Sequence, residues 1–251
     1  MDEMALLAEL HRDGPRQGPG GPEETRLALA LSGLTRRSGL RVADIGCGTG
    51  ASALTLAAAL DGHVTAVDLL PDFLRDLEAA AEQAGLAGRI ETVAASMEAL
   101  PFEEGAVDAI WSEGAIYCMG FEAGVASWRR FLKPGGVLAV SDLTWLTAER
   151  PEELQAHWDR EYPEVATASA KIAALERLGF SPIGYFPLPE RCWIENYYEP
   201  LRSRFPAFLE RHGGSEAARA VVAAEEAEIA LYERNRRFVG YGFYVARKIG
   251  V

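Results

Sequence analysis

The stretch Val42-Ala43-Asp44-Ile45-Gly46-Cys47-Gly48-Thr49-Gly50 carries the residues best spaced for chemistry in this chain. A short apolar run ends beside an acid, glycines alternate through a turn, and a helical pattern begins. Glycine permits the positive φ of a tight turn and removes the Cβ that would keep a ligand off the backbone. In an open α/β sheet, nucleotide-like ligands sit at the carboxyl end of the first strand. Asp44 would direct a carboxylate at such a ligand, repelling a pyrophosphate and attracting a cationic amine. Asp68 closes the next apolar run, 22 residues after Gly46, where an acid can accept both hydroxyls of a ribose. Ala95–Phe102, with Ser96 and Met97, follows the third run and is placed to hold an adenine.

Three further groups are suited to proton transfer. Glu113 and Tyr117 follow the fourth run, at the rim where a second substrate would lie, and His157 is one of only four histidines. Trp145, Trp193, Tyr197 and Tyr198 are candidates for an aromatic substrate wall, which could also meet a cation face-on. Cys47 reads as a small turn residue, since no histidine accompanies it in sequence. Cys118 and Cys192 are far from it and no C-x-x-C pair exists, which speaks for a reducing cytosol and against a structural zinc site.

The elements that must position these residues alternate. Strand patterns at Leu40–Ile45, His63–Val67, Arg89–Ala94, Ala106–Trp111 and Val137–Val140 enclose helical ones at Thr49–Leu60, Pro71–Ala84 and Phe121–Leu132. Lys133–Gly136 is a turn. Such alternation predicts a parallel sheet with helices on both faces. Before it come a helix over 2–12, a Gly/Pro-rich loop over 14–22 that is a candidate lid, and a helix opened by Pro22. Leu27, Leu31 and Leu34 share a face of that last helix. After residue 142 helices are expected at Glu149–Glu161, Thr167–Leu178 and Ser215–Arg234. Strands follow at Ser181–Leu188 and Gly240–Lys248, and 189–200 is aromatic and Pro-rich.

The whole chain has 251 residues, with 49% hydrophobic and 25% charged, an ordinary globular composition. Net charge is −12, which disfavours nucleic acid as a partner because phosphate neutralisation dominates such binding. No secretory signal pattern opens the chain and no apolar run reaches the ~18 residues of a membrane span.

Taken together, Val42–Gly50, Val64–Leu69, Ala94–Phe102, Val107–Glu113 and Phe131–Asp142 resemble the class I S-adenosylmethionine-dependent methyltransferases. Ser112–Glu122, Trp145, Glu149–Pro151 and Cys192-Trp193 further resemble a bacterial subgroup that acts on small molecules. The resemblance implies one Rossmann-like α/β domain over 1–251. Its sheet would have seven strands, mostly parallel with an antiparallel last strand, and helical and aromatic insertions over the active site. Its parts would be an N-terminal helix and loop (1–24), a cofactor-binding half (40–142) and substrate-side insertions with the C-terminal strands (143–251). It implies S-adenosylmethionine held by Asp44, Gly46, Cys47, Gly48, Gly50, Asp68, Leu69, Ser96, Met97 and Glu113. The family often has Asp where this chain has Ser96, and a hydroxyl holds an amine more weakly than a carboxylate. The expected activity is methyl transfer to a small molecule in the cytoplasm, without metal or membrane. The exposed aromatics would serve a homodimer as well as a pocket. The competing readings are an NAD(P)-dependent oxidoreductase, which the relaxed Gly46-x-Gly48-x-x-Ala51 pattern permits, and a cofactor-binding protein that transfers nothing.

Overall fold

The apolar runs between residues 40 and 145 are too continuous for a sheet with one wet face; they suit strands buried on both sides. The computed structural model, which describes residues 3–250, joins them into one sheet of a single α/β domain. The chain begins with α1 (Glu3–Arg12) and α2 (Pro22–Ser32), and continues through β1 (Leu40–Ile45), α3 (Ala51–Ala59), β2 (Gly62–Asp68), α4 (Pro71–Gln83), β3 (Ile90–Ala94) and β4 (Val107–Glu113). Then come α5 (Phe121–Trp128), β5 (Leu132–Trp145), α6 (Glu152–Glu161), β6 (Ala166–Thr167), α7 (Ala168–Arg177) and β7 (Phe180–Pro187). The chain closes with α8 (Glu199–Arg211), α9 (Glu216–Asn235) and β8 (Val239–Lys248).

The strand order is β3-β2-β1-β4-β5-β8-β7. Strands β1 to β5 are parallel, and β8 runs antiparallel to both β5 and β7. The antiparallel last strand is as expected, and the two-residue β6 beside Thr144 and Trp145 adds an eighth strand to the seven. Side chains alternate between two cores, as the period of a strand requires. Val42 joins the core that holds Leu10, Leu29, Leu56, Leu201 and Ile229; Ala43 and Ile45 join the one that holds Val125, Trp128 and Leu175.

Helix α1 is described from Glu3, and residue 2, where the expected helix over 2–12 begins, lies outside the described residues. Three expectations change. In α2 the buried face is Glu24, Thr25, Ala28, Leu29 and Ser32, while Leu27 and Leu31 are exposed and Leu34 lies in the tight turn beyond. Two polar side chains displaced the leucines because each has a distant partner, described below. Lys133–Gly136 is a bulge inside β5, across which Val107 and Ala109 pair with Leu132 and Val137. Gly135 takes φ 71° there, and Lys133 Nζ reaches Asp108 at 2.7 Å. Helix α8 was not expected: Pro200 sits in its first turn, where the missing N–H costs nothing, but Pro206 lies inside it.

Candidate active site

Parallel pairing brings the carboxyl ends of β1 to β4 to one edge, with Asp44 opposite Ala66 and Trp111, and Asp68 opposite Ala94. The turn after β1 holds Gly46, Gly48 and Gly50 at φ 71°, 56° and 93°. A side chain at Gly46 would be strained by that φ and would collide with the Ala115 methyl group. The Gly48 N–H donates to Asp68 Oδ2 (2.9 Å) and the Leu70 N–H to Asp68 Oδ1 (3.0 Å). Asp68 thus braces two turns, and Leu69 beside it is 69% exposed. Cys47 is buried next to Asp44 and Asp68; burial, then those charges, push its thiol far up, so it stays protonated and serves as packing. The Ser96 hydroxyl accepts from the Glu98 N–H (3.2 Å), capping its own turn. The Met97 carbonyl accepts from the Trp128 indole (3.0 Å), and its methyl group lies against Gly46.

The two acids at the centre differ. Asp44 is fully buried; Ser52 donates to its Oδ2 (2.6 Å) and its Oδ1 has no partner. Burial pushes its carboxyl up to about 7, Glu113 and Asp68 add to this, and Ser52 and Arg16 oppose it. Glu113 instead accepts from Arg16 Nη2 (2.6 Å), the Thr25 hydroxyl (2.6 Å) and the Trp111 indole (2.9 Å). Glu113, a candidate for proton transfer in the sequence, thus holds neighbouring chain through three donors.

Arg16 and Thr25 show what the Gly/Pro segment does. Residues 14–22 cross the strand ends as a strap. Gln17 Oε1 accepts from the Thr49 N–H (2.9 Å) and hydroxyl (3.1 Å), and Asn196 donates to the Gly20 carbonyl (2.7 Å). Glu24, 5% exposed, accepts from Arg191 (2.5 Å), tying α2 to the turn before α8. These partners explain the inward polar face of α2. Sequence reasoning named the segment but missed Arg16, Gln17 and Thr25, whose partners are 97, 32 and 88 residues away.

The remaining candidates separate into two places. Tyr117 lies after β4, 46% exposed, edge-on to Tyr162 at 6.0 Å. Burial raises its phenol well above the usual value, with Cys118, Glu228 and Asp142 adding to this. Tyr197 stands close enough to feel that phenol. Trp193 is buried and stacks on Tyr232 (4.3 Å), and Tyr198 is buried with its hydroxyl on Glu228 (3.1 Å). Trp145 is buried at the end of β5, under the Arg150 guanidinium at 4.1 Å. Trp193 and Tyr198 are therefore part of the core. His157 sits on α6 with its ring edge-on to Trp158 (4.9 Å), and no hydrogen bond among the described residues joins it to Glu113 or Tyr117.

A parallel sheet of this order, with a glycine turn between two strand-end acids, defines the Rossmann-like methyltransferase fold. Residues 42–136 match the family described as a methyltransferase domain. The malonyl-[acyl-carrier protein] O-methyltransferase of Enterobacter lignolyticus is 34% identical over 161 residues, 63% of this chain and 60% of that protein. An uncharacterised protein of Haemophilus influenzae is 30% identical over 131 residues, 51% of each chain. The match therefore spans about half to three fifths of the length of these curated relatives. A SAM-dependent methyltransferase from Geobacter sulfurreducens, solved in complex with S-adenosyl-L-homocysteine, superposes with a TM-score of 0.80 at 20% identity. It covers 98% of this chain and 97% of its own, and at that identity the likeness is one of fold.

Proposed function

We propose that the chain transfers the methyl group of S-adenosylmethionine to a small-molecule acceptor. The observation that carries this reading is the pair of acids, Asp44 and Asp68, flanking the positive-φ glycine turn. The residues suit the ligand. Each Asp68 oxygen accepts one backbone N–H and keeps a lone pair for a ribose hydroxyl. The buried, unpartnered Asp44 Oδ1 suits a cationic amino group, and exposed Leu69 with Met97 offers an apolar bed for adenine. The oxygen of Gln17 on the Thr49 N–H marks where an acceptor oxygen is bound at the start of α3.

When bound, S-adenosylmethionine supplies a methyl carbon already activated by its positively charged sulfur. The chain supplies alignment and exclusion of water, and orientation alone is worth up to roughly 7–11 kcal/mol. The strap excludes water, and Glu113 holds the strap. Tyr117, un-ionised at neutral pH, positions the acceptor as a hydrogen-bond donor. A dinucleotide oxidoreductase is disfavoured because Asp44 would stand against the pyrophosphate. The net charge of −12 favours a small acceptor over nucleic acid. Among the described residues no helix is long and apolar enough to cross a membrane. The three unpaired cysteines support a reducing cytoplasm as the compartment we propose.

Thermal unfolding with and without S-adenosylhomocysteine tests the reading. At about 100 times its Kd the ligand adds ~2.7 kcal/mol, a rise of roughly 5–10 °C for a chain of this size. Asp68→Ala should lose that rise. A rise with NAD(P) and none with S-adenosylhomocysteine would overturn the proposal. Binding without methyl transfer to any acceptor would leave a cofactor-binding protein.

A further inference from the structure

We infer that Arg16 binds the carboxylate at the amino-acid end of S-adenosylmethionine, so that the methyl donor itself fastens the strap. The inference rests on the methyl-transfer reading. It adds to that reading a residue outside the glycine turn that selects the methyl donor.

Two adjacent strap residues anchor on opposite sides of β1. Arg16 Nη2 donates to Glu113 Oε2 at the end of β4 (2.6 Å), and Gln17 Oε1 accepts from the Thr49 N–H at the start of α3 (2.9 Å). Strand β1 pairs with β4, with Asp44 opposite Trp111, and the Trp111 indole donates to Glu113 (2.9 Å). On the other side a Cβ on Gly48 would collide with the Gln17 amide oxygen. The chain between these two anchors therefore crosses the end of β1, where Asp44 keeps one buried oxygen without a partner. The charge of Arg16 is felt by the Asp44 carboxyl, as this crossing requires.

The guanidinium is built in but not fully used. The Arg16 side chain is 11% exposed and that of Glu113 3%. Glu113 is filled by its three donors, and it takes only the Nη2 end of Arg16. Arg16 Nε is buried without a partner. A buried N–H left bare is costly to keep, so it points to an acceptor that would engage it. Among the described residues no other lysine or arginine bonds to Asp44, Asp68 or Glu113. The amino-acid end of the methyl donor is a zwitterion. The bare Asp44 oxygen suits its ammonium group, and Arg16 suits its carboxylate, because a guanidinium matches a carboxylate in both shape and charge. The acid thus comes from the glycine-turn motif and the base from the strap that crosses it.

Titration calorimetry on the full chain tests this with three ligands. They are S-adenosylhomocysteine, its decarboxylated form, which keeps the amine, and 5′-methylthioadenosine, which has neither group. In the wild type, loss of the carboxylate should weaken binding about tenfold or more, the scale of a lost charge-assisted bond. In Arg16→Met the same loss should cost less than about twofold. That variant should bind 5′-methylthioadenosine within about twofold of the wild type, which shows that it folds. A second readout needs no variant. At equal saturation, S-adenosylhomocysteine should slow tryptic cleavage of the wild type after Arg12 and Arg16 severalfold more than the decarboxylated form does. Should Arg16→Met not fold, this comparison decides alone. Equal affinity of the wild type for the two forms, a carboxylate preference that survives Arg16→Met, or equal protection by both would each overturn the inference and leave methyl transfer standing. Binding of none of the three ligands would sink the methyl-transfer reading and the inference with it.

Discussion

Asp44 is fully buried, accepts one hydroxyl bond from Ser52 and leaves its other oxygen bare. Its carboxyl stands near 7 in the fold against an ordinary 3.8, so between those values the folded chain binds the proton more tightly than the unfolded one. The stability that this proton confers is complete below about pH 4 and is lost as the pH rises through 7. A displacement of about three pH units at ~1.4 kcal/mol each amounts to about 4 kcal/mol. A cationic ligand placed against Asp44 would offset that loss by stabilising the ionised form. Asp44→Asn should therefore flatten the fall in ligand-free melting temperature between pH 4 and 7 and raise it at pH 8. It should also shrink the S-adenosylhomocysteine shift. Parallel stability profiles for variant and wild type would show that Asp44 carries no such strain.

The segment 14–22 is bonded to the turns that follow β1 and to the end of β4. Gly and Pro prevent it from forming its own ladder, so side-chain bonds to other elements hold it: Arg16 to Glu113 and Gln17 to Thr49. Breaking a buried ion pair by removing one partner costs roughly 3–5 kcal/mol. Arg16→Met should therefore speed tryptic cleavage after Arg12 without ligand, and S-adenosylhomocysteine should slow cleavage more in the wild type than in the variant. Mass spectrometry of the fragments gives both rates, and equal rates would remove the strap from any closing role. The same segment shows what a sequence reveals. The glycine turn, Asp44, Asp68 and the parallel strands were legible because each is a local pattern with a fixed period or spacing. The inward face of α2 was not: Thr25 and Glu24 point inward for Glu113 and Arg191, and only the tertiary fold brings those partners near. Trp193 and Tyr198 were marked as aromatic without any local sign that they face the core.

At the scale of the molecule, the question is whether the covering segments fold separately from the sheet they cover. One apolar cluster answers it: Leu6 and Leu10 of α1, Phe208 of α8 and Ile229 of α9 belong to the same contiguous core as Val42, Trp111 and Val245 of the sheet. Trp193 is 3% exposed at that junction, stacked on Tyr232 at 4.3 Å and edge-on to Tyr241 at 4.9 Å. Truncating a buried tryptophan costs roughly 3–5 kcal/mol, and a chain of this size loses roughly 2–4 °C per kcal/mol. Trp193→Ala should lower the melting temperature by roughly 6–20 °C while unfolding stays a single transition whose calorimetric and van't Hoff enthalpies agree. A cap that folds by itself would behave differently: the variant would show an early transition for the covering helices and an unchanged later one for the sheet. The shared core argues for the single transition, and with it for covering helices as stable as the sheet.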